Sequence, residues 1–180
     1  MLAALSPRRE QFFSEVAEGL ARFPPGSVSR IERFVKYCRG ELQPTPGGHR
    51  HQPCEEYVEG LDARPWWETS EFPWVGALEA GSGAIADEFK SYMATAASQT
   101  FSSDSAHMSV MGPGWSGVRL QRLGRWIPEN CKHFPQTVKL LKELEVPVAV
   151  RGVIFARQLP GTGVAPHSDG RNFILTLHLG

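Results

Sequence analysis

The chain has 180 residues, enough to bury the core of one domain and to carry a short extension. With 41% hydrophobic and 21% charged residues, its composition is that of an ordinary globular protein. Basic and acidic residues number 19 each, so no net charge draws the chain to nucleic acid or to an anionic membrane.

The N-terminal part of the chain is predicted to be helical. Apolar residues recur at helical spacing over residues 6–23 and again over residues 29–39. Residues 40–54 are rich in proline, glycine and histidine, which predicts a linker. We therefore expect a helical extension and linker over residues 1–54, followed by a separate domain over residues 55–180.

Helices and strand-like runs alternate through the rest of the chain. Helices are predicted over residues 74–92, interrupted by Gly81 and Gly83, and over residues 135–144. Alternating side chains predict strands over residues 117–126, 148–159 and 172–179. Strands separated by turns indicate a mainly β, antiparallel architecture behind the helical N-terminal part.

The first of these strands is predicted to have two distinct faces. Val118, Leu120 and Leu123 are expected to point to one side of the strand. Arg119 and Gln121 are expected to point to the other side.

The strongest signal for chemistry is the pentapeptide PHSDG at residues 166–170, between the last two strand-like runs. Residues two apart on an extended segment point to the same side, so His167 and Asp169 can offer a nitrogen and a carboxylate oxygen to one metal ion. With a histidine from a distant strand, they would form the facial triad of non-haem iron oxygenases. The alternative is structural: Asp169 bonds backbone amides in a turn, and Gly170 supplies an unusual φ.

Several sequence blocks carry a family resemblance. In chain order they are YVEGL at 57–61, RPWW at 64–67, FPW at 72–74, GW at 114–115, VRL at 118–120, FPQT at 134–137, LPGT at 159–162, PH at 166–167 and HLG at 178–180. Together with Asn172, these blocks cover roughly residues 55–180 and resemble the aspartyl/asparaginyl β-hydroxylase family. Residues 1–54 show no such resemblance.

The resemblance implies a double-stranded β-helix, the cupin-like jelly roll. It also implies an iron(II)- and 2-oxoglutarate-dependent dioxygenase that hydroxylates an aspartyl or asparaginyl side chain, or a related group, of a peptide or small-molecule substrate. His167 matches the family's first iron ligand, and His178 matches a histidine of the 2-oxoglutarate pocket. Asn172 matches a recurring asparagine and is predicted to help bind the same co-substrate.

The match to the family is uneven at the site. Asp169 stands where the best-known members have glycine, so a full triad with Asp169 as a metal ligand is expected here. Thr176 and Ala156 stand where those members place an arginine and a serine that bind 2-oxoglutarate. The family's second iron histidine and a co-substrate arginine fall after Gly180, so we expect this stretch to be incomplete at its C-terminus and inactive alone. A non-catalytic, cupin-like binding or scaffold module is the alternative.

Two other motifs are weaker. GPGWSG at residues 112–117 matches GxGxxG, but a strand-like segment follows it where a dinucleotide site needs a helix. His49, His51 and Cys54 have spacing that suits zinc, but they lie in the linker without a fourth ligand.

The three cysteines are widely spaced and form no CxxC pair. This pattern favours a reducing compartment, cytoplasmic or organellar, over a disulfide framework. No run approaches about 18 apolar residues, so no transmembrane segment is expected in this chain. The sequence predicts no oligomeric state.

Overall fold

The computed structural model describes residues 6–43, 56–95, 98, 112–148, 152–167 and 169–180. The chain divides into two compact units. The first comprises the described residues of Met1–Arg64 and His167–Leu175, and the second comprises those of Pro65–Pro166 and Thr176–Gly180. The domain boundary predicted at residue 54 lies outside the described residues and stays a prediction.

The first unit contains the two helices that the sequence predicted. Helix α1 spans Pro7–Leu20 and helix α2 spans Ser29–Cys38. Phe13 of α1 is buried, and the Arg39 guanidinium at the end of α2 lies 5.5 Å from its ring centroid. This cation–π contact, together with the ion pair of Arg39 with Glu10 at 3.4 Å, fastens the two helices to each other.

The second unit is built on a three-stranded antiparallel sheet. Its strands are β1 (Trp115–Arg122), β2 (Arg125–Trp126) and β3 (Val153–Gln158), in the order β2-β1-β3. The β1–β2 turn has positive φ at both central residues, 50° at Leu123 and 76° at Gly124, as tight hairpin turns require. Val118 pairs with Phe155 across the β1–β3 ladder.

The predicted faces of β1 are only partly correct. Val118 and Leu120 are buried together, as expected. Leu123 was wrongly placed with them: it occupies the hairpin turn and is 64% exposed. Gln121, predicted to lie on the polar side, is 2% exposed. The ladder register shifts between Arg119 and Gln121, and this irregularity breaks the simple alternation of faces.

Helices pack against this sheet. They are α3 (Val75–Ala80), α4 (Ser82–Met93), α5 (Pro128–Cys131) and α6 (Pro135–Glu143), with a 3-10 turn at Thr69–Glu71. The predicted break at Gly81 is confirmed, because α3 ends and α4 begins there. A Cβ at Gly81 would lie 2.3 Å from Leu140 Cδ2 of α6, so glycine allows the close approach. Gly83 causes no interruption, because it lies inside α4.

The core of the second unit lies between α4, α6 and the sheet. Tyr92, Val118, Leu120 and Phe134 form one buried cluster, and the rings of Phe134 and Phe155 stack with centroids 4.6 Å apart. Leu78, Ile85 and Leu141 form a second cluster. The burial of these side chains supplies the hydrophobic stabilisation of the unit.

A buried carboxylate joins two of the helices. Glu88 of α4 is 8% exposed and lies against the N-terminus of α6. Its Oε1 accepts the Gln136 N–H at 2.7 Å, and its Oε2 accepts the Thr137 N–H at 2.8 Å and the Thr137 hydroxyl at 2.7 Å. Helix α6 has no side-chain cap of its own at Phe134, so Glu88 caps it from a distant helix.

The expectation of a mainly β structure is wrong for the described residues. Six α-helices accompany three short strands in this part of the chain. The strand predicted over residues 172–179 does not form, and its apolar side chains Phe173, Leu175, Leu177 and Leu179 are 36–55% exposed. A strand needs a neighbour for its backbone N–H and C=O groups, and this stretch has no ladder partner among the described residues.

None of the helices in the described part of the chain combines the length and the apolar composition that crossing a membrane requires.

Candidate metal centre

His167 and Asp169, the two predicted metal ligands, lie side by side in the first unit. His167 Nε2 is 3.8 Å from Asp169 Oδ1. Their side chains are 30% and 33% exposed, so both are partly shielded and still reachable from solvent. Gly170 has a φ of 73°, which confirms the unusual backbone that the turn interpretation assigned to it.

The separation of these two atoms suits ligands of one metal ion. Ligand atoms about 2.1 Å from a common metal lie about 3.0 Å apart at a right angle and about 4.2 Å apart on opposite sides. The observed 3.8 Å falls within that range, so only a small side-chain adjustment would bring the two into adjacent positions. A neutral imidazole and a carboxylate are also the donor types that iron(II) takes in a facial triad.

The part of the chain that the structure describes brings two candidate ligands together and contains no cluster of three. No group of three or more histidine, cysteine, aspartate or glutamate side chains able to hold a metal occurs among the described residues. The structure therefore supports His167 and Asp169 as a pair. His49, His51 and Cys54, whose spacing suits zinc, lie outside the described residues.

Asn172 has a structural role that the sequence did not predict. Its Oδ1 accepts the Val58 N–H at 2.7 Å, and its Nδ2 donates to the Val58 carbonyl at 2.7 Å. Both ends of the amide are engaged with backbone 114 residues away in sequence. Its predicted contribution to 2-oxoglutarate binding stays a prediction.

A charged pair adjoins this contact. Arg171 donates through Nε and, at 3.0 Å, through Nη2 to the two carboxylate oxygens of Glu56. Glu56 and Arg171 also form a parallel β-bridge, in which the Glu56 N–H donates to the Gly170 carbonyl at 3.0 Å. Sequence reasoning missed Glu56 and Arg171, because neither belongs to a motif and only the fold brings them together.

The remaining predicted positions lie in the second unit. His178 and Thr176 are exposed, on a stretch without regular secondary structure. Ala156 is an exposed residue of β3, paired with Gly117 of β1. Strand β1 begins at Trp115, inside the GxGxxG match at residues 112–117, and continues to Arg122, which confirms that a strand and not a helix follows the match.

A groove of about 630 Å³ lies beside α2, and Glu59 and Gly60 contribute to its lining. Its lining includes Arg30, Arg33, Lys36 and Glu59, and none of the predicted site residues. Arg33 is engaged by Glu59 at this surface. Neither His167 nor Asp169 therefore lines the groove.

Comparison with known proteins decides the family. The sequence profile described as "Aspartyl/Asparaginyl beta-hydroxylase" matches residues 79–180. The chain belongs to this family. Proteins named aspartyl/asparaginyl beta-hydroxylase from Homo sapiens and Mus musculus are each 35% identical to it over 128 residues. These matches cover 68% of this chain and 17% of each relative, so the chain spans about a sixth of their length.

Membership of the aspartyl/asparaginyl beta-hydroxylase family confirms the resemblance found in the sequence. The matched range includes the candidate pair and all three strands of the sheet in the second unit. The name of the family is that of a hydroxylase, which agrees with a predicted oxygenase.

Proposed function

We propose that the protein is an iron(II)- and 2-oxoglutarate-dependent dioxygenase that hydroxylates an aspartyl or asparaginyl side chain, or a related group, of a peptide or small-molecule substrate. Family membership supports hydroxylation. The observation that carries the metal-dependent part is the approach of His167 Nε2 to Asp169 Oδ1 at 3.8 Å, with both side chains about a third exposed.

His167 and Asp169 would hold the metal through those two atoms. Iron(II) together with 2-oxoglutarate, when bound, would supply the oxygen activation that hydroxylation of a C–H bond requires. The Asp169 carboxylate would offset part of the charge of the ion, and partial exposure of the pair leaves room for co-substrate and substrate. His178 is proposed to contribute to the 2-oxoglutarate site.

The proposal includes the double-stranded β-helix fold. The antiparallel sheet β2-β1-β3 would form one part of that barrel. Support for this arrangement comes from family membership and from the antiparallel pairing of β1 with β3.

The test is 2-oxoglutarate turnover by the protein expressed from its complete gene. We expect iron(II)-dependent succinate formation that falls at least about a hundredfold in His167→Ala, because the loss of a ligand removes both the metal and its orientation. Asp87→Asn is the control, because Asp87 lies on α4 with its side chain 79% exposed. Succinate formation that is equal in the parent protein and in His167→Ala would refute the proposal.

The alternative is a non-catalytic binding or scaffold module derived from such an enzyme. It is favoured by Ala156 and Thr176, which occupy positions where the best-known members bind 2-oxoglutarate through serine and arginine. Calorimetric titration with 2-oxoglutarate in the presence of iron(II) distinguishes the two. The absence of both 2-oxoglutarate binding and succinate formation would identify a module of this kind.

A further inference from the structure

We infer that Asn172, Arg171 and Glu56 are positioning residues for the metal pair, and that the segment Glu56–Val58 is the template that fixes where His167 and Asp169 point. The inference rests on the proposed function, because it assumes that the pair binds a metal. It goes beyond that function because it assigns the segment Glu56–Val58 a role in orienting the two metal ligands.

Backbone contacts provide the first argument. The Glu56 N–H donates to the Gly170 carbonyl at 3.0 Å, so the residue directly after Asp169 is held by this segment. The Val58 N–H donates to Asn172 Oδ1, and the Val58 carbonyl accepts from Asn172 Nδ2, each at 2.7 Å. The Asn172 side chain thus substitutes for a strand neighbour and continues the parallel pairing that begins with the bridge of Glu56 to Arg171.

The side chains provide the second argument. Arg171 and Glu56 form a two-pronged ion pair with side chains 29% and 42% exposed. A two-pronged guanidinium–carboxylate contact fixes orientation as well as distance. Val58 is 5% exposed, so this end of the template is buried within the first unit.

A third contact ties the segment to the N-terminal helices. Phe173, the residue after Asn172, packs edge-on against Phe34 of α2 with ring centroids 5.6 Å apart. The four residues that follow Asp169 are therefore all held by the N-terminal part of the chain, through a carbonyl, an ion pair, an amide and a ring. Partners of this kind, which orient ligands without touching the metal, commonly change metal affinity by about 10–100-fold when they are removed.

The experiment titrates the full chain with cobalt(II), a spectroscopic substitute for iron(II), and follows the visible absorption of the bound ion. Asn172→Ala and Glu56→Gln are each expected to weaken cobalt(II) binding by about tenfold or more and to alter the spectrum at saturation. The charge-exchanged variant Glu56→Arg with Arg171→Glu is expected to recover most of the lost affinity. Circular dichroism and urea unfolding of each variant separate loss of geometry from loss of fold.

A matched control is available in the same segment. Glu59→Gln removes the ion pair with Arg33, which is of the same chemical type but joins the segment to helix α2. It is expected to leave cobalt(II) affinity within about twofold of the parent. An equal loss of affinity in Glu59→Gln and Glu56→Gln would overturn the inference, because a general loosening of the unit would explain both.

The outcomes also distinguish this inference from the proposed function. No cobalt(II) binding by the parent chain would overturn the metal pair and the positioning role together. Binding that is abolished in His167→Ala but unchanged in Asn172→Ala and Glu56→Gln would overturn only the positioning role.

Discussion

Replacement of Glu88 by alanine is expected to destabilise the second unit strongly. The carboxylate receives three hydrogen bonds, from the Gln136 N–H, the Thr137 N–H and the Thr137 hydroxyl. Pro135 at the start of α6 has no N–H, so these two backbone groups are the donors of the first turn that need a partner. Glu88 is 8% exposed and Thr137 is 3% exposed, so water reaches the freed groups poorly.

The size of the effect follows from these contacts. A buried N–H left unpaired costs about 1–3 kcal/mol, and a hydrogen bond to a charged acceptor contributes about 1.5–3 kcal/mol. The three bonds share one carboxylate and are not additive, so the expected loss for Glu88→Ala is about 3–4 kcal/mol. Glu88→Gln keeps the shape and one acceptor, and its expected loss is about 1–2 kcal/mol.

Urea unfolding followed by tryptophan fluorescence measures this loss in the right part of the molecule. All five tryptophans lie between residues 66 and 126, within the second unit. The midpoint should fall while the dependence on urea stays constant, since the surface exposed on unfolding is unchanged. Asp87→Ala is the control on the same helix, because that side chain is 79% exposed. If Glu88→Ala lies within about 0.5 kcal/mol of Asp87→Ala, the capping argument is refuted.

Two further predictions concern a glycine and a thiol. Gly152→Ala should destabilise the second unit by about 3 kcal/mol or more in the same urea assay, because φ is 72° and a Cβ would lie 2.1 Å from the Gln121 carbonyl oxygen. Gly161→Ala has a similar φ of 74° and open space, so its loss should be only about 1 kcal/mol, and equal losses would contradict the steric argument. Burial raises the pKa of the Cys131 thiol, so iodoacetamide at pH 8 should modify it several-fold more slowly in the folded than in the urea-unfolded chain, as measured by peptide mass spectrometry. The neutral thiol favours the folded state below the unfolded pKa of about 8.5, and this contribution is lost as the pH rises through the raised folded pKa. Above both pKa values the thiol is a thiolate in either state, so the ratio of the unfolded to the folded modification rate should shrink at higher pH.

The helices could be predicted from sequence because their signals are local. The apolar spacing over residues 6–23 and 135–144 depends on neighbours within one or two turns, and the corresponding helices α1 and α6 are present. The break at Gly81 was predicted for the same reason. Local signals also placed β1 and β3, whose alternating side chains find partners in each other.

The misplaced elements depend on contacts that sequence spacing does not encode. Residues 172–179 alternate as a strand does, but a strand forms only beside a neighbour, and none pairs with them among the described residues. The position of Leu123 was decided by the hairpin turn. The capping role of Glu88 had one indirect signal in the sequence. Helix α6 follows Phe134, which cannot cap it, so a cap for α6 had to come from another part of the chain.

The proximity of the two candidate ligands could be predicted from the sequence, but the residues that hold the segment after them could not. The spacing of His167 and Asp169 predicted their proximity, which the 3.8 Å separation confirms. Glu56 lies 115 residues from Arg171 in sequence, so no motif could link them. Asn172 was found through a family resemblance, and its amide contacts with Val58 became evident only in the structure.

The most direct test of the central claim is an anaerobic calorimetric titration of the full chain with iron(II). We expect the parent protein to bind one equivalent of iron(II). His167→Ala and Asp169→Asn should each weaken binding by more than about tenfold, and Asp87→Asn should leave it unchanged. Asp169→Gly, which introduces the residue found in the best-known family members, should also weaken iron(II) binding. It removes the carboxylate that lies 3.8 Å from His167 Nε2. Unchanged iron(II) affinity in His167→Ala and in both Asp169 variants would contradict the account and show that the pair is not a metal site.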